Sequence, residues 1–515
     1  MVDATELENL DAPQLRNLNR ELIEQITAQR DELRFKTTRI EQLTFELARY
    51  KRIRFEASSE KLDAAQVSLL HETLDADLAA IEEQLEQLTT EPGKPRKQTP
   101  RREALPAHLP RVSVHHEPET KTCQCGCELK RIGEDVSEKL LYKPGDFTVE
   151  RHIRGKWVCA KCQTLIQAPV PPQVIDKGIA TASLLAQVMV AKFNDHLPLY
   201  RQEAIFGRAG YAIPRSTLGA WVGACGVQLQ PLVDALKEAI LSHEVLHADE
   251  TPVAMLKPGN GKTHRAYLWT YCPGAFESMQ AVVYDFTETR SGKNAEAFLG
   301  AWRGKLVCDD YSGYKAIIAR GVTECGCLAH ARRKFFDLYA NNKSQIAERA
   351  LGYFGQLYDV ERDLQDLDAD ARRQMRQTKA KPVADALHAW LVAHRLKVPD
   401  GSATAKALDY SLTRWEPLTR YLDDGTLPPD NNHVENQIRP VAVGRSNWLF
   451  AGSLRAGQRA AAVMSLIQSA KLNGHDPYAY LKDVFTRLPT QPANQIEELL
   501  PHLWVGNVSS PQPPR

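Results

Sequence analysis

The chain has 515 residues, with 65 Lys and Arg against 64 Asp and Glu, 43% hydrophobic and 25% charged residues, and 29 Gly and 30 Pro. These proportions exclude a collagenous, globally disordered or disulfide-dense protein, and a formal net charge of +1 excludes a uniformly basic coat while leaving room for local basic patches. The opening MVDATELENLDAPQL lacks a basic segment followed by an apolar one, and no stretch reaches about 18 uninterrupted apolar residues, so a soluble, cytoplasmic protein of several domains with no membrane partner is expected.

Residues 14–89 carry leucine-rich helical repeats. Ile26, Leu33, Ile40 and Leu47 recur every seven residues, and Leu15, Leu22, Leu43 and Tyr50 lie on the adjacent seam, which predicts a coiled coil that associates chains. Gln29 and Lys36 interrupt the second seam. Leu74, Leu78, Ile81, Leu85 and Leu88 mark a second helix able to fold back on the first. Residues 90–120 read as a basic, Pro-containing linker, in which Lys94, Arg96, Lys97, Arg101 and Arg102 repel one another and are available to a DNA backbone.

Five of the ten Cys fall within residues 121–168. Cys159 and Cys162 form a C-x-x-C pair whose turn lets two thiolates converge on one Zn²⁺, and Cys123, Cys125 and Cys127 supply two more, with the discarded one left open. Four thiolates leave no open coordination position, so this zinc stabilises a small module. Arg151, His152, Arg154 and Lys156 beside Trp157 are candidate phosphate contacts. Residues 180–224 then read as a helix-turn-helix-like DNA-binding region: Gly210 stops one helix, Ser216 caps the next, and Arg208, Arg215 and Ser216 are placed near the groove.

From residue 243 the period changes. EVLHADETPVAML, HRAYLWTYC and SMQAVVYDF are strand-like runs, followed by GKNAEAFLGAW as helix, GKLVCDDY as strand, YKAIIARG as helix, TECGCLAH as strand and ARRKFFDLYA as helix. The order βββαβαβα is that of a ribonuclease H-like α/β core, in which the fourth strand lies beside and parallel to the first. Asp249 and Asp309 would then be neighbours despite their separation in sequence, and two such carboxylates suit hard divalent cations. A helical insertion at about 340–428 precedes Pro428, Pro429, Asp430 and Asn431, which mark a helix start with Glu435 in its opening turns. The catalytic domain spans 243–455, a helical region 456–488, and 489–515 is expected to be mostly disordered.

GEDVSEKL at 133–140, HADETPV at 247–253, CDDYSGY at 308–314, CLAHARRKF at 327–335 and NNHVENQIRPVAVGRSNWLFAGS at 431–453 resemble, in order, the transposase of the insertion sequence 66 family. The resemblance covers nearly the whole chain. It implies a bacterial DNA transposase with a leucine-rich amino terminus, a zinc-binding module and an acidic-triad (DDE-type) catalytic domain. Its acids carry onto Asp249, Asp309 and Glu435, which would hold Mg²⁺ or Mn²⁺. One departure is Asp309-Asp310-Tyr311 where the family reads Asp-Gly-Tyr; alignment on Tyr311 and Gly313 favours Asp309, with Asp310 the alternative.

The mechanism so implied is two-metal hydrolysis that frees 3′-hydroxyls at the element ends, followed by their attack on target DNA. A catalytically inactive end-binding protein and a nuclease that never rejoins strands are the competing readings. His330, Arg332, Arg333 and Lys334, and later Arg439, Arg445 and Asn447, are candidate DNA contacts, and Trp448 and Phe450 could stack on an unpaired base, although burial is the default for aromatics. His247 shares a strand face with Asp249 and is expected to be packed. Cys325 and Cys327 with His330 resemble half a zinc site, but a second zinc is not the expectation, because Cys308 is the sole obvious fourth partner. Pairing two DNA ends implies a dimer or larger assembly, and the resemblance implies accessory proteins of the same element.

Overall fold

The computed structural model describes residues 12–56, 64–88, 104–118, 120–123, 125–143, 145–176, 178–257 and 262–506. The basic run from Lys94 to Arg102 and residues 507–515 lie outside the described residues. Among those described, no helix is long and apolar enough to cross a membrane.

Two helices open the chain, α1 (Ala12–Glu56) and α2 (Ala64–Leu88). Leu43 and Ile81 are fully buried where the helices meet the body, whereas Leu22, Ile26 and Leu33 on the expected heptad seam are exposed. The second helix does more than fold back on the first. It presses against α5 (Arg215–Leu241) at Gly219 and Gly223, and a Cβ on Gly223 would stand 2.2 Å from the Ala76 carbonyl, so only glycine permits this approach. Two buried acids of α2 complete the anchor: Glu72 pairs with Lys192 and accepts from the Leu199 amide at 2.9 Å, and Asp77 pairs with Arg459 at 3.0 Å.

A small sheet follows, with strand order β1-β3-β2 and β4 on β3: β1 (Arg111–His116), β2 (Leu129–Lys143), β3 (Asp146–Cys159) and β4 (Leu165–Gln167). The expected linker at 90–120 is corrected here. Residues 111–116 form a strand parallel to β3, held at its start by the Arg111 guanidinium, which donates to the carbonyls of Leu109 and Pro106 and pairs with Glu138. The long β2–β3 hairpin buries Leu140, Phe147 and Val149 against the next helices. These are α3 (Ala182–Phe193), α4 (Leu199–Arg208) and α5.

Gly210, at φ 94°, follows the end of α4 as expected. Ser216, however, is not a cap: α5 begins at Arg215 after Pro214, leaving Ser216 inside the first turn. Nor does the helix stop at 224. It continues to Leu241 and buries Leu218, Trp221, Val222, Cys225, Leu229, Leu232, Leu236 and Ile240, so most of the expected DNA-reading helix is core.

The central sheet has strand order β7-β6-β5-β8-β9. Strands β5 (Val245–Met255), β6 (His264–Pro273) and β7 (Val283–Thr287) are antiparallel neighbours. After α6 (Gly292–Leu299), β8 (Lys305–Val307) lies parallel to β5; after α7 (Lys315–Ile318), β9 (Thr323–Cys325) lies parallel to β8. This is the element order expected from the changing period, with shorter outer strands. The run TECGCLAH is strand only to Cys325, because α8 (Leu328–Asn342) begins at Leu328 and carries His330.

The insertion is helical, as expected: α9 (Gln345–Asp363), α10 (Ala369–Met375), α11 (Lys381–Arg395), α12 (Ala403–Thr413) and α13 (Trp415–Thr419). Arg376 is fully buried, pairs with Glu361 at 2.6 Å and donates to the carbonyls of Tyr421, Asp424 and Leu427, fixing the loop that leads into α14 (Asn432–Trp448). Helix α15 (Leu454–Leu472) covers the edge of the sheet, where Ser469 and Ser465 accept from the Val282 and Tyr284 amides. Helix α16 (Pro477–Arg487) packs beside it. The expected disordered tail is corrected for residues 489–506: Leu499 and Leu500 are buried, the Tyr480 hydroxyl donates to the Leu499 carbonyl, and the Trp504 indole donates to Asp483.

Candidate functional site

Parallel pairing of β5 with β8 ends on the pair His247 and Val307, and Asp249 and Asp309 each follow two residues further along their own segments. Backbone amides orient both carboxylates: Asp249 accepts from the Glu250 amide at 2.8 Å and Asp309 from the Tyr311 amide at 3.0 Å. Burial, then the Glu250 charge and then those of Asp309 and Glu435, raise the Asp249 carboxyl to about 7, although the Glu250 amide opposes the shift. All three expected acids are therefore close enough for their charges to act on one group.

Glu435 reaches this place on the first turn of α14, whose start is fastened to the sheet by Asn431. The buried Asn431 side chain donates to the Ala248 carbonyl at 2.9 Å and lies 2.8 Å from His247 Nδ1, while its backbone amide donates to Cys327 Sγ at 3.3 Å. His247 is the packed imidazole expected, with the His433 ring 5.2 Å away. Asp310 points elsewhere. It pairs with Arg414, which also holds Glu324 at 2.6 Å and belongs to the end of the insertion.

Around Glu435, His330 Nδ1 and an Arg333 nitrogen each lie 3.9 Å from its carboxylate. Arg332, Arg333, Arg439, Arg445 and Asn447 are exposed, and Arg445 also reaches the Pro252 carbonyl at 3.4 Å. Arg208 and Ser216 are exposed and Arg215 half-buried, on α4 and the first turn of α5. Of the two aromatics that were candidates for stacking on a base, Phe450 is buried and Trp448 is packed against the core, the default for such side chains. Arg154 and Lys156 are engaged internally, by the Ala168 carbonyl and Asp135.

At the end of the β2–β3 hairpin, the Sγ atoms of Cys123, Cys125, Cys159 and Cys162 lie within 4.8 Å of one another. Three of the separations are 3.2, 3.6 and 3.8 Å, against about 3.8 Å for thiolates at tetrahedral corners around zinc. Cys127 is outside this group, and its carbonyl instead accepts from the Cys123 amide at 2.8 Å. Hydrogen bonds from Thr164 help draw the Cys162 thiol down to about 6.

Residues 177–459, which hold the central sheet, the insertion and all three acids, match the Transposase IS66 family. The chain belongs to the IS66 transposase family. Three further stretches match: residues 42–114 to the Transposase C of IS166 homeodomain, 120–163 to the zinc-finger binding domain of transposase IS66, and 465–502 to the IS66 C-terminal element. Two relatives come from Sinorhizobium fredii. Uncharacterized protein y4jD is 39% identical over 416 residues, covering 78% of this chain and 81% of that protein. Uncharacterized protein y4qI is 37% identical over 480 residues, covering 90% of this chain and 89% of that one.

Several residues that support the site carried no signal in the sequence. Glu250 is buried beside Asp249 and held by Arg290 at 2.6 Å and the Tyr314 hydroxyl at 3.1 Å. Asn431 was legible only as a helix-start residue, and Arg414, 104 residues from Asp310, had no local signal.

Proposed function

We propose that this chain is a DNA transposase whose ribonuclease H-like core uses Asp249, Asp309 and Glu435 to hold Mg²⁺ or Mn²⁺. The observation carrying this reading is the pairing of β5 with β8, which sets Asp249 and Asp309 just beyond neighbouring parallel strands, together with Glu435 Oε1, buried without a hydrogen-bond partner on the first turn of α14; the charges of Asp309 and Glu435 both act to raise the Asp249 carboxyl. Such an oxygen-rich, charge-frustrated donor set fits hard divalent cations. The sheet order, with antiparallel β5–β7 and β8 parallel to β5, supports the ribonuclease H-like reading. Engagement of Asp310 by Arg414 supports Asp309 as the second acid.

Magnesium bound there would activate water and stabilise the leaving 3′-oxygen. The protein's own contribution is orientation. Amides of Glu250 and Tyr311 aim two carboxylates, Asn431 anchors the turn that presents the third, and His330 and Arg333 set positive or polar groups beside the phosphodiester. Water is the nucleophile in the cleavage step and the freed 3′-hydroxyl in the joining step, so both use the same place. Arg208, Arg215, Ser216, Arg332, Arg439 and Arg445 extend the DNA-binding surface, and four cysteines, Cys123, Cys125, Cys159 and Cys162, hold a structural Zn²⁺. The exposed Leu22, Ile26 and Leu33 seam supports assembly into dimers or larger species.

The test is Mg²⁺-dependent cleavage and strand transfer on labelled element ends. Wild-type protein is expected to release 3′-hydroxyl ends and join them to a target; Asp249→Asn, Asp309→Asn and Glu435→Gln proteins are expected to bind the ends and do neither. Cleavage by any of the three refutes the triad, and cleavage without joining favours a plain nuclease.

A further inference from the structure

Cys327 Sγ, a ring nitrogen of His330 and a carboxylate oxygen of Glu435 lie within 4.8 Å of one another. Cys327 and His330 form a C-x-x-H turn at the start of α8, and the Asn431 staple brings Glu435 to it from α14. The fourth partner sought from the sequence does not come from its own strands: Cys308 and Cys325 are buried and stand outside this group.

Two atoms show that the cluster is incomplete as it stands. His330 Nδ1 and Glu435 Oε1 are both buried with no hydrogen-bond partner, and their separation of 3.9 Å is too long for a hydrogen bond between them. A cation between them would satisfy both. The third donor decides which cation: a buried sulfur prefers zinc or cadmium over magnesium, and an N, O, S set is a three-ligand arrangement that leaves zinc one open position. Ligand atoms around tetrahedral zinc are about 3.3–3.8 Å apart. The side chains of His330 and Glu435, 25% and 27% exposed, have room to close that gap.

We infer that Cys327, His330 and Glu435 form a second, thiophilic metal site, distinct from the four-cysteine cluster, which shares Glu435 with the triad. Zinc held there engages Glu435 from the α8 side and competes with its use beside Asp249 and Asp309. This makes soft divalent cations inhibitors of the magnesium-dependent reaction, an effect that rests on the triad reading, whereas the binding of zinc at the three residues does not.

The experiment is zinc stoichiometry of the full-length protein, loaded with zinc and desalted, measured by elemental analysis. Two zinc ions per chain are expected for the wild type and for Asp249→Asn, and one for Cys327→Ser, His330→Asn and Glu435→Gln. Thermal melts establish that each variant is folded; if Cys327→Ser is not, the more exposed His330→Asn carries the comparison. One zinc in the wild type, or two in folded His330→Asn and Glu435→Gln, overturns the site. For the shared carboxylate, zinc at a few equivalents is expected to slow Mg²⁺-dependent cleavage about tenfold in the wild type and much less in His330→Asn, each relative to its own zinc-free rate. Equal inhibition in both overturns the competition. Cleavage by Asp249→Asn would instead refute the triad and leave the zinc count to stand.

Discussion

His247 Nδ1 and Asn431 Oδ1 lie 2.8 Å apart, 184 residues distant in sequence and both fully buried. Because Asn431 uses its amide nitrogen on the Ala248 carbonyl, its oxygen is the acceptor and His247 carries the proton on Nδ1. This pair joins the strand bearing Asp249 to the helix bearing Glu435.

The first prediction concerns that staple and pH. Burial first, then the neighbouring His433, push the His247 pKa down to about 3, below the unfolded value of about 6.5. A folded-state pKa lowered in this way means the protein is fully stabilised by the neutral ring above about 6.5 and loses that contribution as pH falls. Between pH 7.5 and 5 the loss from this group is about 2 kcal/mol. Denaturant titrations of His247→Leu are expected to show lower stability at pH 7.5 but about 2 kcal/mol less decline over that interval; parallel slopes would contradict it.

The Asp249 carboxyl has the opposite sign. Its folded-state pKa, raised to about 7 by burial and neighbouring acids, makes the ionised form destabilising above the unfolded value of about 3.9, with the full cost present above pH 7. Without divalent metal, Asp249→Asn is expected to be more stable than the wild type by about 2–4 kcal/mol at pH 8 and by little at pH 4. Magnesium should narrow the difference at pH 8 by stabilising the wild type alone. Melting curves with and without Mg²⁺ check both statements.

Adjacent aspartates 309 and 310 should separate cleanly. Asp309→Asn is expected to abolish cleavage, whereas Asp310→Asn, losing a partly exposed pair with Arg414, should cost about 1 kcal/mol or less in stability and change the cleavage rate only a few fold. The reverse pattern would transfer the second ligand to Asp310.

Among the cysteines, Cys159→Ser is expected to lose one zinc per chain and to disorder the adjoining end of the β2–β3 hairpin, whereas Cys127→Ser should retain the wild-type zinc content. Elemental analysis with amide exchange over β2 and β3 distinguishes them. Zinc lost from Cys127→Ser would change the ligand set.

The central sheet was legible because its strands alternate or run apolar between clear turn residues, and the C-x-x-C pair because its spacing is constrained by the ion. The β2–β3 hairpin was not, since LKRIGEDVSEKLLYK exposes charged residues on most of its length and buries apolar side chains mainly near Leu140. Which of Cys123, Cys125 and Cys127 is discarded depends on where each sulfur points, as Gly126 turns the chain at φ 80°. The use of Asp310 depends on Arg414, and the packing of α5 on glycines that meet α2 from far upstream; neither leaves a local trace. The ordered segment at 489–506 was missed because a few buried anchors, Leu499 and Leu500 among them, suffice to hold a polar stretch.

Anomalous diffraction at the manganese edge, on crystals of the full-length protein grown with Mn²⁺ and element-end DNA, tests the central claim most directly. The account predicts manganese peaks bounded by carboxylate oxygens of Asp249, Asp309 and Glu435, with Asp310 still on Arg414. Manganese bound to the two aspartates while Glu435 faces away from them, with DNA engaged, would contradict it.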